Sequence, residues 1–289
     1  MGAQVNEAGT NLHAKRPFQA ALQSRASILL AASSSSQLLE HTITLFENIA
    51  TYRFAPLADL PAKRQAVFDC GVKHAVKGTI ILAPEGVNLV ACGEPSAIAA
   101  LCAHLDQHLG CGPLDYKHSH SEQVSFERWK VKIKPEIITY RQPQVQPELE
   151  RAPSVEPQTL ARWIEQGQDD EGRALVLIDT RNDFEVQAGA FSGARSWNLQ
   201  RFTQLPDALR QHAPELKDKR VVAYCTGGIR CEKAVLSMHQ EGLAHAVQLQ
   251  GGVLRYFEHV GQRHWEGRLF VFDERVSVDA TLTSTTASP

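Results

Sequence analysis

Apolar and polar positions change period several times along the chain, and each change marks an element. From residue 41, "TITLFENIATYRF" alternates with the two-residue period of a half-buried strand. "PAKRQAVFDCGVKHAV" has helical spacing, and "GTIILAPEGVNLVACG" gives two strands around a tight turn at Pro84, Glu85 and Gly86. "EPSAIAALCAHLDQHLG" is helical again and stops at Gly110, after which "SFERWKVKIKPEIITY" returns to strand alternation. The order strand, helix, strand, strand, helix, strand predicts an α+β ferredoxin-like (split βαβ) domain over residues 41–140.

"RQPQVQPELERAPSVEPQ", with four prolines, predicts a linker over 141–156. Beyond it "PQTLARWIEQGQ" is helical, "ALVLIDT" is a continuous apolar run suited to a buried parallel strand, and "GARSWN" and "RVVAYC" are further strands with helices between. Alternating strands and helices predict an α/β domain with a parallel sheet over 157–278. Sites in such domains collect at the carboxyl ends of strands, and Cys225 stands at one.

Composition narrows the classes. The 30 Lys and Arg against 32 Asp and Glu leave no global charge to attract nucleic acid or membrane, so any such surface must come from local clustering. No apolar run reaches the roughly 18 residues of a membrane helix, and no secretory signal is recognisable. The six cysteines form no CxxC pair and no secreted disulfide framework. A soluble, cytoplasmic protein without membrane contact is expected. Residues 1–40, rich in Ala, Ser and Gln, read as a disordered extension, with a targeting segment or an early start codon as the other readings, and 279–289 as a disordered tail.

The stretch "YCTGGIRCEKA" concentrates chemistry. A cysteine at a strand end, two glycines that let backbone amides converge, an arginine and a following helix together stabilise a thiolate. Cys225 is therefore the candidate nucleophile, Thr226, Gly227, Gly228 and Ile229 its nest, and Arg230 its cation. The C-x4-R spacing is one residue shorter than the C-x5-R cradle of cysteine phosphatases and suits a smaller group, such as a sulfur atom. Cys231 reads either as a resolving thiol for an oxidised Cys225 or as a small buried residue. Cys70, Cys92, Cys102 and Cys111 lie among apolar neighbours and read as filler.

This loop resembles the rhodanese active-site loop, and "LIDTRNDFEVQAGAFSGARSWN" and "LQGGVLRYF" resemble other signatures of that fold. In that pattern Asp179 and Arg181 are supporting residues, structural before catalytic. A narrower resemblance, carried by "APEGVN", "FERWKVKIKPEIITY", "CTGGIRCEKA", "LQGGVLRYFE" and "WEGRLFVFDERVSV", is to the two-domain rhodanese family of tRNA uridine hydroxylases. It implies oxygen-dependent conversion of uridine 34 in tRNA anticodons to 5-hydroxyuridine, with Cys225 adding to the base or carrying an activated species. No G-x-G-x-x-G follows a strand, so no flavin or dinucleotide is expected. Molecular oxygen and an unidentified reductant are the expected co-substrates.

Arg128, Lys130, Lys132 and Lys134 are spaced by two, so a strand would set all four on one face, opposite Trp129, Val131 and Ile133. The stripe matches an RNA backbone or an ordinary solvated face, and the resemblance favours tRNA. His118 and His120 share a strand face but lack a third ligand, so no metal is expected. Glu85 and Asn88, near a hairpin tip, either reach a site or serve the turn alone. The rival functions are a thiosulfate- or persulfide-type sulfurtransferase forming a persulfide on Cys225, and an RNA-binding scaffold without activity. Oligomeric state is not legible.

Overall fold

The computed structural model describes residues 45–282, so the expected extension over 1–40 and the end of the tail lie outside the described residues. Strand β1 (Phe46–Phe54), helix α1 (Leu60–Lys73), the hairpin β2 (Lys77–Ala83) and β3 (Gly86–Gly93), helix α2 (Pro95–His108), β4 (Lys117–Ser121) and β5 (Trp129–Ile133) build the first layer. Its sheet runs β4-β1-β3-β2-β5, antiparallel except for the parallel pairing of β5 with β2.

This is the ferredoxin-like plan with one correction. The strand that closes the split βαβ unit is β4, and the basic strand β5 is an additional one at the opposite edge. β4 reads "KHSHS", and its two buried positions are Lys117 and Ser121, so a pattern of apolar alternation cannot reveal it. Ile80, Leu82, Leu89 and Val131 face α1 and α2 in the core. The opposite face carries Ala50, Tyr52, Thr79, Ile81, Asn88 and Val90, and it is turned towards Cys225.

The second layer follows as β6 (Ser154–Val155), α3 (Pro157–Gln166), β7 (Leu175–Asp179), α4 (Asp183–Ala188), β8 (Gly189–Phe191), β9 (Arg195–Ser196), α5 (Leu205–His212), β10 (Arg220–Tyr224), α6 (Ile229–Gln240), β11 (Ala246–Leu249) and α7 (Gly252–Val260). Its sheet, β6-β11-β10-β7-β9, is parallel throughout. β10 lies at the centre and is buried on both faces, which explains its unbroken apolar run. The stretch read as linker ends in β6, which pairs with β11. Short strands β12 (Trp265–Gly267), β13 (Leu269–Phe270) and β14 (Ser277–Val278) finish the chain; β12 pairs with β8, and Leu282 in the expected tail is buried.

The two layers pack as one compact unit. Phe54, Ala83 and Ile137 form an apolar cluster with Tyr52, Ile81 and Ile138 of the first layer and Ile229 of α6. Beside it Lys233 of α6, 1% exposed, reaches out of the second layer. Its ammonium donates to both Glu85 oxygens at 3.0 and 2.9 Å, to Glu136 at 2.9 Å and to the Ile138 carbonyl at 3.2 Å. Glu85 also accepts from the Ile137 amide at 2.7 Å, and Glu136 from the Tyr140 amide at 3.0 Å. Each group buried here thus has its partner, as charges withdrawn from water require. Burial pushes the Glu85 carboxyl up in spite of Lys233. In Glu136 burial is outweighed by Lys233 and the Tyr140 amide, and the carboxyl is held low.

Candidate active site

The turn from β10 into α6 places Cys225 on the lining of a cleft of about 370 Å³ between the two layers. One wall is the open face of the first sheet, with Ala50, Tyr52, Ile81 and Val90. The other is the loop itself, with Phe202, Leu254 and Phe272 beside it. The volume falls within the range of small-molecule sites, and the mostly apolar lining with three aromatic rings suits a flat heterocycle. Cys225 is fully buried, so a group reaching it leaves water behind.

The loop is held from every side. The Gly228 amide donates to the Cys225 sulfur at 3.1 Å. The first amides of α7 bond the loop carbonyls, Val253 to Cys225 and Leu254 to Thr226, both at 3.0 Å. Two glycines permit this. Gly228 has φ 100°, and a Cβ there would stand 2.8 Å from the Tyr52 hydroxyl. Gly252 has φ 66°, and a Cβ there would come within 2.5 Å of the Cys225 carbonyl oxygen. The chain therefore curls beneath the sulfur, and α6 begins directly after the curl.

Arg230 does not float free beside the sulfur. Its guanidinium makes a two-pronged bond with Glu185, at 2.6 and 2.8 Å, and both side chains are buried. Glu185 in turn accepts from the Asn182 amide at 3.1 Å, which anchors it to the start of α4. Asp179 and Arg181 form another buried fork, and Arg181 also donates to the carbonyls of Glu185, at 3.3 Å, and Gly189, at 2.6 Å. Its guanidinium lies over the Tyr224 and Trp265 rings. Neither residue lines the cleft; they fix the turn that presents Glu185.

Charge and hydrogen bonding single out one thiol. Burial would raise Cys225, but a hydrogen bond from Cys231, the charge of Arg230 and the loop amides outweigh it and hold the sulfur well below the usual thiol range. Cys231 moves the opposite way, raised by burial and by its anionic neighbour, and its sulfur lies 3.6 Å from the Thr180 hydroxyl. Burial likewise pushes up Cys70, Cys92, Cys102 and Cys111. All six are free thiols.

The basic stripe lies next to this cleft. Lys130 and Lys132 pair in register with Thr79 and Ile81, so they share the sheet face that forms the cleft wall. Arg128 and Lys134 flank β5 rather than belonging to it, and all four cations are exposed. On the other face Val131 is buried and Trp129 half-buried, but Ile133 is 42% exposed, so the expected apolar side is incomplete. His118 is engaged with Glu47 at 2.7 Å.

Sequence reasoning missed several contributors. Tyr52 and the buried Lys117 line the cleft, with the ammonium 5.8 Å from the tyrosine ring, and burial lowers that lysine. Glu185 was visible only as part of a motif, and Lys233 only as a letter in the loop sequence. A charged residue at a turn or helix start carries no periodic signal.

A cysteine loop at the end of a central parallel strand, covered by a ferredoxin-like layer, defines a two-domain protein of the rhodanese class. Family models agree: one described as a UPF0176 acylphosphatase like domain matches residues 46–137, and one described as a Rhodanese-like domain matches 156–259. The chain is 48% identical over 235 residues to a tRNA uridine(34) hydroxylase of Bordetella avium (strain 197N), covering 81% of this chain and 97% of that protein. Proteins of the same name from Delftia acidovorans (strain DSM 14801 / SPH-1) and Xanthomonas campestris pv. campestris (strain 8004) are 49% and 47% identical over 238 residues. Those matches cover 82% of this chain and 90% and 94% of the relatives. The chain belongs to the tRNA uridine(34) hydroxylase family.

Proposed function

We infer that this protein is an oxidoreductase that hydroxylates uridine 34 of tRNA to 5-hydroxyuridine, with Cys225 as its reactive group. The observation that carries the chemistry is the Cys225 sulfur, bonded by the Gly228 amide and beside Arg230, on the lining of a cleft whose walls come from both layers. Uracil C5 does not attack oxidants unaided. Addition of a thiolate at C6 makes C5 the carbon of an enolate, which does. The loop amides and Arg230 stand where they offset negative charge on the sulfur or on the adduct. Molecular oxygen and a reductant are taken as co-substrates: one oxygen atom enters the base, and the other leaves as water with two electrons and two protons from the reductant. Cys231 serves the sulfur as a hydrogen-bond donor; a resolving role would require it to form a disulfide with Cys225 during turnover.

Among the described residues no helix is long and apolar enough to cross a membrane. The reading places the protein with tRNA in the cytoplasm, the base in the cleft and the RNA backbone along Arg128, Lys130, Lys132 and Lys134. The same loop chemistry suits a persulfide on Cys225, but that sulfurtransferase reading leaves the covering sheet and its basic edge without a task. An anticodon stem-loop carrying 5-fluorouridine at position 34 tests covalent addition. A Cys225-dependent adduct in denaturing mass spectrometry is expected, and its absence would remove the addition step.

A further inference from the structure

A second cavity, of about 430 Å³, shares Tyr52 and Lys117 with the Cys225 cleft. Its lining brings four cations, Arg53, Lys117, Arg151 and Arg255, against two carboxylates. Both carboxylates are occupied: Glu232 by Arg151 at 2.5 Å, and Asp115 by Arg255 at 3.1 Å and Lys117 at 3.6 Å. The Arg53 guanidinium donates to the Pro113 carbonyl at 2.6 Å and has no carboxylate partner among the described residues. The cavity therefore retains positive charge for an anion.

Two buried atoms on the same lining lack any partner. One is Arg255 Nε, a donor. The other is Gln248 Oε1, an acceptor on a residue 5% exposed, whose amide nitrogen is fixed on the Ala152 carbonyl at 3.2 Å. An unmet donor and an unmet acceptor on residues that line one polar cavity, each within a small side-chain turn of it, suit a ligand with both an anionic oxygen and a hydroxyl or N–H group. A ribonucleotide has both, in its phosphate and its 2′-hydroxyl.

We propose, resting on the reading that uridine 34 enters the Cys225 cleft, that this second cavity holds the adjoining nucleotide of the same RNA strand. Its phosphate lies on Arg53 and Arg255, and its 2′-hydroxyl donates to Gln248 Oε1. Tyr52 and Lys117, common to both cavities, stand between the reacting base and this neighbour. The clamp pulls the strand over the loop and makes entry of the base into the cleft selective for RNA.

The test uses the full chain and anticodon stem-loop RNAs, with affinity read by fluorescence anisotropy. A neutral methylphosphonate replaces the linkage 5′ or 3′ to uridine 34 in turn, and 2′-deoxyribose replaces each adjoining ribose. At one linkage the neutral group should weaken wild-type binding about tenfold, as expected when a charge-assisted hydrogen bond is removed, and should have no further effect in Arg53→Gln. The 2′-deoxy change at the nucleotide served by that linkage should weaken the wild type and leave Gln248→Met unaffected. Because the substrate changes cannot unfold the protein, they stand even if a variant folds poorly. Full-sized, additive effects in Arg53→Gln, or no effect of any substrate change, would overturn the clamp while leaving the hydroxylase reading intact. If the wild type binds no anticodon RNA, both fall together.

Discussion

Replacing Lys233 by methionine tests how the two layers are held in register. The substitution keeps a long apolar stem against Phe54, whose ring centre lies 5.7 Å from the ammonium, and deletes the charge shared by Glu85, Glu136 and the Ile138 carbonyl. Removing one member of a buried ion pair costs about 3–5 kcal/mol, because the partner charge is stranded. Here the stranded carboxylates are 12% and 23% exposed and keep amide donors, so the destabilisation should fall near the lower end, about 3 kcal/mol. With a urea dependence of about 2–3 kcal/mol per molar, the unfolding midpoint should drop by about 1 M. Adding Glu85→Gln and Glu136→Gln to Lys233→Met removes the stranded charges and should recover about half of that drop. A Lys233→Met midpoint equal to that of the wild type, or no recovery in the triple variant, would refute the idea that this ion-pair cluster governs the assembly of the cleft.

The low pKa of Cys225 sets a pH profile. A lowered Cys225 pKa means the anion persists as pH falls from 8 to 7, so alkylation of Cys225 by iodoacetamide should hold its rate there and decline only below, whereas an ordinary thiol of pKa about 8.5 loses reactivity across that range. Arg230→Met and Cys231→Ala should each move the midpoint upward, and an unmoved midpoint in both would contradict the assigned causes. Gly252→Ala should displace the loop, since its Cβ would fall 2.5 Å from the Cys225 carbonyl oxygen, at a cost of about 1–3 kcal/mol from backbone strain; activity should fall well before circular dichroism changes. Replacing Lys130, Lys132 and Lys134 together by Glu should weaken tRNA binding and flatten its salt dependence by about one unit of slope for each phosphate that is no longer neutralised. Unchanged binding would make the stripe a solvated face only.

The fold was legible where burial is one-sided or complete. α1, α2 and the β2–β3 hairpin announce themselves by period, β7 and β10, buried on both faces, by their unbroken apolar runs, and the loop after β10 by its residue types. β4 was not, because its buried positions are Lys117 and Ser121, and neither were β6 and the short strands β12 to β14, which are too brief to show a period. At the site, Cys225 and its neighbouring amides followed from local chemistry. The fork between Arg230 and Glu185 spans 45 positions, and the ion pair of Lys233 with Glu85 spans 148. Such pairings depend on how distant segments meet, so only the folded chain displays them. Tyr52 looks in sequence like any strand tyrosine and gains its meaning only when the first sheet closes over the loop.

The most direct test is nucleoside mass spectrometry of tRNA from cells lacking this protein, complemented with the wild type or with Cys225→Ala and grown under heavy-isotope dioxygen. The account predicts that 5-hydroxyuridine and its derivatives disappear, return with the heavy oxygen label only in cells given the wild type, and stay absent with Cys225→Ala. A nucleoside profile unchanged by removal of the protein, or full restoration by Cys225→Ala, would contradict it.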